Sequence, residues 1–426
     1  MTRPSERSLA PPSDLGSLAQ LIDRLQIVAA DCPECRSLYI VGGPVRDRLL
    51  GLPLAAAKDL DFVVEGDALA FGRALEQRWG GQLRCHSAFL TCSWQGADGS
   101  AAIDLVTARS ESYRHPGALP EVAPSDLAAD LKRRDFTINA MAERLWPEPL
   151  WERIDPQGGE ADLRAGLLRI HHAGSFRDDP TRVFRLARFV VRLSLQPVDA
   201  TLAALADIVA TGFEALTTVG GDRLRAEWGR VCSEPDPFAV VRWLSENKVP
   251  QALGFSGDSP ALEAVGRMFA LRGQGRTVAP SDVLMCWWLA GRMSLSAQES
   301  DVALEAFGLQ EHRGSWLMQH QAIGRAQQDL AAQVTDDVLE QCLAALDEPT
   351  RGALVALHPQ TAGAVKRYES VVSAIAPLVD GALLLAAGMV EGPAVGQALT
   401  KVRIAQLRGQ LRSTDDALDF LGLSTP

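Results

Sequence analysis

The chain has 426 residues, which is too long for one hydrophobic core, because single domains usually hold about 100 to 200 residues. Two to four domains are expected. With 47% hydrophobic and 22% charged residues, the composition predicts a globular protein and excludes bulk disorder. The formal net charge of -11 argues against a uniformly basic nucleic-acid binder, although arginines concentrate between residues 164 and 192.

Cysteine usage and hydropathy indicate the compartment. Seven cysteines without an apolar secretory leader are typical of a reducing environment, so a cytoplasmic location is expected. The chain contains no uncharged apolar run of about 20 residues, which excludes an ordinary membrane-spanning helix. The Pro- and Ser-rich start predicts a flexible leader over residues 1–25.

The predicted elements alternate between strands and helices in the first third of the chain. In chain order they are a strand at 37–41, a turn at Gly42-Gly43, a helix at 44–50, a strand at 60–64, a helix at 67–79, and strands near 88–94 and 101–107. Residues 110–124 contain several prolines and predict a long loop. Strand signals fade after Phe136, and helical spacing dominates from 180 to about 423. We therefore predict an α+β fold, with a mixed α/β head followed by an all-helical remainder.

The glycine turn after the first strand has the features of a phosphate site. Gly42 and Gly43 let backbone N–H groups approach a phosphate closely, and the helix that begins near Pro44 directs its positive end to the same place. A Gly-Gly pair taken alone is usually a simple turn.

Paired carboxylates follow on the next predicted strand. Asp59 and Asp61 are two residues apart, so both side chains leave one face while Leu60 points into the core. Close carboxylates repel one another unless a cation lies between them, and Mg²⁺ prefers oxygen ligands. We therefore expect both to be catalytic and metal-binding, with Asp104 as the third catalytic carboxylate. A lone Asp-x-Asp pair more often keeps a strand edge soluble.

Together these features resemble the polymerase-β-like nucleotidyltransferase superfamily. Further motifs narrow the resemblance to the class II, bacterial-type tRNA nucleotidyltransferase and poly(A) polymerase family. In chain order the motifs are Gly42-Gly43-x-Val45-Arg46-Asp47 with Asp59-x-Asp61, Arg133-Arg134-Asp135-Phe136-Thr137-Ile138-Asn139-Ala140, Asp155-Pro156-x-Gly158-Gly159, Asp178-Asp179-Pro180-Thr181-Arg182 and, more weakly, Gly221-Asp222-Arg223-x-x-x-Glu227.

The resemblance implies an enzyme that moves nucleotidyl groups from CTP and ATP onto the 3′ end of tRNA with two-metal Mg²⁺ chemistry. The first and second motifs imply the nucleotide-binding residues Gly42, Gly43, Arg46, Arg134, Asp135 and Asn139. The alternative for Asp135 is an N-cap of a helix beginning at Phe136, and both roles are compatible.

The resemblance also implies a domain order. It gives a polymerase-β-like head at 26–148, a helical neck with the nucleotide-selecting motif at 149–235, a helical body at 236–333 and a helical tail at 334–426. In this family the helical part holds tRNA by its acceptor and TΨC arms, so tRNA contacts are expected in the tail.

The motif around Asp179 and Arg182 is expected to choose the base, because residues three apart on a helix share a face. Cytosine and adenine each present an amino donor beside a ring-nitrogen acceptor, which a carboxylate and a guanidinium match. Uracil and guanine present the reverse order, which costs about 1 to 3 kcal/mol per unpaired buried group. Asp178, where the family usually has Glu, is expected to orient Arg182. The alternative is a helix N-cap at Asp178 with Pro180 in the first turn.

Arginines continue at helical spacing after this motif. Arg185 and Arg188 are expected to line the cleft for the triphosphate and the RNA backbone, with Arg164, Arg169 and Arg177 nearby. The alternative is a solvated helix face.

Two other signals are not interpreted as sites. Cys32 and Cys35 have zinc-knuckle spacing, but no second Cys or His pair follows at ligand spacing, so no structural zinc is expected. His171 and His172 are sequence neighbours whose side chains point apart, and neither is expected to act as a general base.

Several members of the family remain candidates. Its poly(A) polymerases typically carry a Gly-Arg-Arg-Phe segment and a basic C-terminal extension, and neither is evident, which favours tRNA as substrate. CC-adding members have a shorter loop than 108–121, so we expect addition of the terminal A, either after both C residues or alone. The alternatives are a poly(A) polymerase and, from another class, a non-catalytic RNA- or nucleotide-binding module, against which the intact carboxylates argue.

Overall fold

The computed structural model describes residues 18–54, 60–97, 102–115, 117–211, 219–292, 294–330 and 334–423. Asp59 therefore lies outside the described residues. The chain forms two compact units, Met1–Asn247 and Lys248–Pro426. The boundary between the two units, after Asn247, falls within residues 236–333, the range predicted for the helical body. The finer limits of neck, body and tail stay predictions.

The strands belong to the first unit. They are β1 (Cys35–Val41), β2 (Leu60–Gly66), β3 (Gln82–His86), β4 (Thr91–Gln95), β5 (Ile103–Thr107), β6 (Arg109–Ser112), β7 (Glu121–Pro124), β8 (Ala142–Trp146), β9 (Arg153–Ile154), β10 (Leu167–Leu168) and β11 (Gln196–Pro197). Seven of them form one mixed sheet in the order β3-β4-β5-β2-β1-β8-β9, in which only β2 and β5 are parallel neighbours.

The helices of the first unit cover the sheet and continue beyond it. They are α1 (Ala19–Asp31), α2 (Gly43–Leu49), α3 (Ala68–Trp79), α4 (Leu127–Lys132), α5 (Gly159–Arg164), α6 (Ser175–Asp178), α7 (Arg182–Leu193), α8 (Asp199–Ala210), α9 (Gly221–Cys232) and α10 (Pro237–Glu246). The start of α3 is capped by the Asp67 carboxylate, which accepts hydrogen bonds from two backbone N–H groups of the first turn.

Alternating residues of the central strands supply two cores. Leu60, Phe62 and Val64 of β2 pack on one face of the sheet with buried residues of α1 and α3. Val63 points to the other face, where it packs with Leu131 of α4. Because side chains alternate along a strand, Asp61 emerges on the same side as Val63. The expected inward position of Leu60 is confirmed, since its side chain is buried.

Three local predictions were wrong. The segment 110–124 is not an irregular loop, because β6 and β7 pair antiparallel from Arg109 opposite Pro124 to Ser112 opposite Glu121. Strand signals do not end at Phe136, because β8 pairs with β1. The helix expected from Phe136 is a single 3-10 turn, Thr137–Asn139.

In the described residues of the second unit, helices are the regular secondary structure. Its helices are α11 (Val249–Ala252), α12 (Ser259–Gly273), α13 (Pro280–Gly291), α14 (Ala297–Ala306), α15 (Arg313–Asp329), α16 (Asp336–Leu343), α17 (Glu348–Leu357), α18 (Ala362–Arg367), α19 (Gly381–Ala386), α20 (Pro393–Leu407) and α21 (Thr414–Leu421). Two buried tryptophans anchor α13, since Trp287 donates its indole N–H to the Ser256 carbonyl and Trp288 to the Ser300 carbonyl.

The α+β architecture predicted from the sequence, a mixed-sheet head followed by helices, is confirmed. Across the described ranges, every helix is too short or too polar to cross a membrane.

Candidate active site

A cavity of about 700 Å³ lies within the first unit. In the described part of the chain its wall contains nine arginines: Arg46, Arg133, Arg134, Arg182, Arg185, Arg188, Arg192, Arg223 and Arg230. Five carboxylates also line it: Asp47, Asp61, Glu111, Asp135 and Asp179. The excess of guanidinium groups makes the cavity cationic in a protein whose net charge is -11, and such a cavity attracts a polyanionic ligand.

The glycine turn forms one edge of the cavity. Gly42 has φ of +74°, a conformation that residues with a Cβ rarely adopt, and a Cβ there would lie 2.9 Å from Nη1 of Arg134. Arg46 on α2 is buried and donates Nη1–H to Oδ1 of Asn139 at 2.6 Å. The structure thus places Gly42, Gly43, Arg46 and Asn139 together at the cavity, as the first two motifs predict.

Two of the three predicted catalytic carboxylates lie side by side. Asp61 of β2 and Asp104 of β5 are direct partners in the parallel register, so both side chains leave the same face on strands about 4.8 Å apart. Asp61 lines the cavity, whereas Asp104 is exposed outside its wall and accepts a hydrogen bond from Oγ of Ser93. Asp59 lies outside the described residues.

The second motif connects the head to α7 through Asp135. Oδ1 of Asp135 accepts hydrogen bonds from the Phe136 N–H at 2.9 Å and from Nδ2 of Asn139 at 3.0 Å. Oδ2 accepts from Nε of Arg185 at 2.6 Å. Burial alone would raise the pKa of Asp135, but Arg185 and the Asn139 hydrogen bond outweigh it and lower the pKa to about 2.

Arg134 is held by a carboxylate that sequence reasoning missed. Asp130 of α4 is fully buried, and it accepts hydrogen bonds from Arg134 at 3.1 Å and from both Nε and Nη2 of Arg133. The two arginines together keep the pKa of Asp130 below its usual value despite burial, which acts in the opposite direction. A paired buried carboxylate of this kind fixes the direction of the guanidinium groups that line the cavity.

The base-selecting motif has a different geometry from the one predicted. Asp179 is not on the same helix as Arg182, because it follows the last residue of α6 with an extended backbone, whereas Arg182 begins α7. Both side chains nevertheless line the cavity. A Pro180-containing turn joins them, in which the Arg182 N–H donates to the Asp179 carbonyl at 3.1 Å.

The expected role of Asp178 in orienting Arg182 is wrong. Asp178 lies outside the cavity wall and pairs with His172 at 3.5 Å. Arg182 is oriented instead by Oγ of Ser175, at 2.7 Å from Nη1, and by the Arg133 carbonyl, at 2.8 Å from Nη2. The alternative reading, in which Asp178 is the N-cap of a helix with Pro180 in its first turn, is also wrong, because Asp178 is the last residue of α6.

Two arginines of α7 and one of α2 surround one aromatic ring. Phe189 lines the cavity, and the guanidinium carbons of Arg46, Arg185 and Arg192 lie 5.1, 5.5 and 5.2 Å from its ring centre. Cation–π contact of this kind holds like charges close together at a partly dehydrated site. Phe189 was missed because an aromatic residue at helical spacing is indistinguishable in sequence from a core residue.

Arg188 is fixed by two buried carboxylates. Its Nε lies 2.6 Å from Oε1 of Glu234, and its Nη1 lies 3.4 Å from Oε2 of Glu227. Arg185 and Arg188 both line the cavity, and their contact with the triphosphate and the RNA backbone stays a prediction. The same prediction was wrong for three other arginines, whose partners are acidic residues away from the wall: Arg164 with Glu160, Arg169 with Asp162 and Arg177 with Asp207.

The β6–β7 hairpin adds two cavity residues that the sequence did not reveal. Glu111 accepts hydrogen bonds from Nη1 of Arg133 at 2.9 Å and from the Tyr113 hydroxyl at 3.0 Å. Burial raises the pKa of Tyr113, and the Glu111 charge adds to this effect. The alternation of Arg109, Glu111 and Tyr113 is the signal that would have placed these side chains on one face of a strand.

His171 is expected to make the stability of the first unit depend on pH. Burial lowers the pKa of His171 to about 4, and Arg182 acts in the same direction against the opposing effect of Asp135. Since the unfolded chain protonates near pH 6.5, the unfolded state binds more protons, and stability should fall as the pH falls from about 6.5 to 4. Allowing for solvent around the partly exposed ring, we expect His171→Gln to reduce this loss by about 1 kcal/mol between pH 7 and 5.

Urea unfolding of wild type and variant at both pH values measures this effect. His172→Gln is the matched control, because His172 is an exposed neighbour. An identical pH dependence in His171→Gln and wild type would contradict the assignment.

Comparisons with known proteins identify the family of the chain. Residues 38–169 match the family described as "Poly A polymerase head domain". The A-adding tRNA nucleotidyltransferase of Halalkalibacterium halodurans is 32% identical over 404 residues, covering 94% of this chain and 91% of that protein. The CC-adding tRNA nucleotidyltransferase of Deinococcus radiodurans is 40% identical over 208 residues, covering 49% of this chain and 53% of its own length.

Among solved structures, the Thermotoga maritima CCA-adding enzyme complexed with tRNA_CCA is similar, with a TM-score of 0.75, 25% identity and coverage of 95% of both chains. The fold, the cationic cavity and the near full-length relative lead to one conclusion. The chain belongs to the class II tRNA nucleotidyltransferase and poly(A) polymerase family.

Proposed function

We propose that this protein is a template-independent tRNA nucleotidyltransferase that adds nucleotides of the 3′-terminal CCA from CTP and ATP. One observation carries the proposal: Asp179 and Arg182, which match the donor and acceptor edges of C and A, line the same cationic cavity as Asp61. The cavity therefore combines base choice, phosphate binding and a catalytic carboxylate. Relatives named for A addition and CC addition to tRNA support the substrate.

The hydrogen-bonding capacity of the pair explains selection without a template. Arg182 uses one N–H of each terminal nitrogen on Ser175 and Arg133, so further N–H donors are left for a ring-nitrogen acceptor. The carboxylate of Asp179 accepts from an exocyclic amino group. A base with the reverse pattern would leave these buried groups unpaired, at about 1 to 3 kcal/mol each.

We assign Mg²⁺ to the carboxylates Asp59 and Asp61, with Asp104 as the third catalytic carboxylate. The fit rests on donor chemistry, because Asp61 and Asp104 are neighbouring oxygen donors on β2 and β5. The described residues do not include Asp59. Among them, no group of three side chains could hold a metal ion. A divalent ion held by these carboxylates would supply activation of the attacking 3′ hydroxyl and neutralise charge on the triphosphate.

The remaining binding roles follow the observed cavity. Arg185, Arg188 and Arg46 would bind the triphosphate, and Arg134, Asp135 and Asn139 would contact the sugar. The helices of the second unit would hold the tRNA by its acceptor and TΨC arms, and the reaction would take place in the cytoplasm. Addition of the terminal A is favoured by the A-adding relative that aligns with almost the whole chain.

The decisive experiment uses purified protein, Mg²⁺, radiolabelled CTP or ATP, and tRNA ending in the discriminator base, in C or in CC. We expect incorporation of A into the CC-ended tRNA. Incorporation of C into the first two substrates as well would define a full CCA-adding enzyme, and A alone would define a dedicated A-adding one.

Two results would contradict the proposal. Long A tails on an oligo(A) primer, with no preference for tRNA, would identify a poly(A) polymerase. Binding of ATP and tRNA without incorporation under every condition would identify a non-catalytic binding module.

A further inference from the structure

The Asp179 carboxylate is held by two residues that base selection does not by itself require. Oδ1 of Asp179 accepts hydrogen bonds from both the N–H of Thr181, at 3.1 Å, and its Oγ1 hydroxyl, at 2.6 Å. Nη2 of Arg223, on α9, lies 3.0 Å from the same oxygen. Within the described residues these contacts all involve Oδ1, so Oδ2 is the oxygen left to accept from a base.

The position of Asp179 makes such support necessary. It lies between α6 and α7 in an extended conformation, so no helical backbone fixes the direction of its side chain. A free carboxylate would sample several rotamers, and each misdirected rotamer would weaken discrimination between bases. Thr181 is well suited to prevent this, because it is buried, with a relative exposure of 4%, and adjoins Arg182 in the chain.

We propose that Thr181, assisted by Arg223, is a positioning residue for nucleotide selection: it engages Oδ1 of Asp179 so that Oδ2 is presented to the amino group of C or A. The inference rests on the proposed function, since it assumes that Asp179 reads the base. In this role Thr181 contacts neither the base nor the phosphates, but it sets the accuracy with which Asp179 selects the base.

Thr181→Val tests this, because valine has nearly the same shape and lacks the hydroxyl. We expect the ratio of kcat/KM for ATP to that for GTP, on CC-ended tRNA, to fall about threefold to thirtyfold, as loss of one hydrogen bond worth about 0.6 to 2 kcal/mol implies. Thr181→Ser keeps the hydroxyl and should restore the ratio to within about twofold of wild type.

A purely structural role of Thr181 as a cap of α7 predicts a different outcome. It predicts a lower melting temperature with an unchanged base ratio. Thr201→Val is the matched control, because Thr201 is equally buried in the same unit, and its hydroxyl donates to the Leu168 carbonyl at 3.2 Å away from the cavity wall. It should lower the melting temperature and leave the ratio at the wild-type value.

A double-mutant cycle separates failure of this inference from failure of the proposed function. If Asp179→Asn alone leaves the ATP to GTP ratio unchanged, base reading by Asp179 is wrong. If Asp179→Asn changes the ratio and Thr181→Val does not, only the positioning role is overturned. If both change it, Thr181→Val should have no further effect on the ratio in the Asp179→Asn background, because the two residues act through one carboxylate. Fully additive effects would contradict the inference.

Discussion

Asp61→Asn is expected to reduce incorporation of both CTP and ATP by at least about a thousandfold, because several kcal/mol of charge stabilisation depend on this carboxylate. Of the Asp-x-Asp pair, Asp61 is the carboxylate that lies within the described residues. It faces the cavity from the middle of the sheet. Asparagine preserves the shape of the side chain, so the fold should persist. Single-nucleotide incorporation on CC-ended tRNA, with far-UV circular dichroism of the same sample, measures both effects.

Asp31→Asn is the control for this experiment, because Asp31 is an exposed acidic residue of the same unit, paired with Arg78 away from the cavity. Its activity should match the wild type. Asp61→Asn retaining more than about a tenth of the wild-type rate would show that the catalytic centre lies elsewhere. Asp104→Asn, measured alongside, reports whether the neighbouring strand supplies the third carboxylate.

Arg182→Ala is expected to change the choice of base and not merely the rate. Removing the guanidinium should lower turnover of ATP and raise the relative use of GTP and UTP, because the ring-nitrogen acceptor of adenine loses its partner while the unfavourable donor contact with guanine disappears. A change of roughly tenfold to a hundredfold in the ATP to GTP ratio is expected, since each hydrogen-bonded pair contributes on the order of 1 to 3 kcal/mol.

Removal of Arg182 also breaks its structural contacts with Ser175 and Arg133, so the melting temperature is measured together with the base ratio. Arg177→Ala is the control, because Arg177 is a surface arginine close to Arg182 in the chain and pairs with Asp207, and it should leave the ratio unaltered. A lower melting temperature of Arg182→Ala with an unchanged ratio would refute base reading by this residue.

Residues that carry local chemistry could be predicted from the sequence. The Gly42 turn and the Asp61 strand were predicted correctly because glycine freedom and strand alternation act over a few residues. The partnerships of these residues could not be predicted in the same way. The Asp135 to Arg185 pair and the Arg46 to Asn139 hydrogen bond join segments far apart in the chain, and tertiary packing decides them.

Two errors have identifiable physical causes. The 110–124 segment contains prolines, which favour loops, but Pro124 ends β7 opposite Arg109, at the end of a short two-stranded ribbon where proline is tolerated. Asp179 and Arg182 were assigned to one helix on spacing alone. The intervening Pro180 disfavours a helical conformation of the residue before it, which is why α6 ends at Asp178.

Strand β8 is synthesised long after β1, the strand with which it pairs, and this order affects how the sheet of the head forms. One edge of β1 pairs with β2, which ends at Gly66. Its other edge has no strand to pair with until residues 67–141 have been added and β8 is synthesised. At about 5 to 20 residues per second, a nascent chain leaves that edge open for roughly 4 to 15 s on the ribosome. An open strand edge is a template for pairing with another chain, so we expect translation through β8 to remove one site at which the head could aggregate.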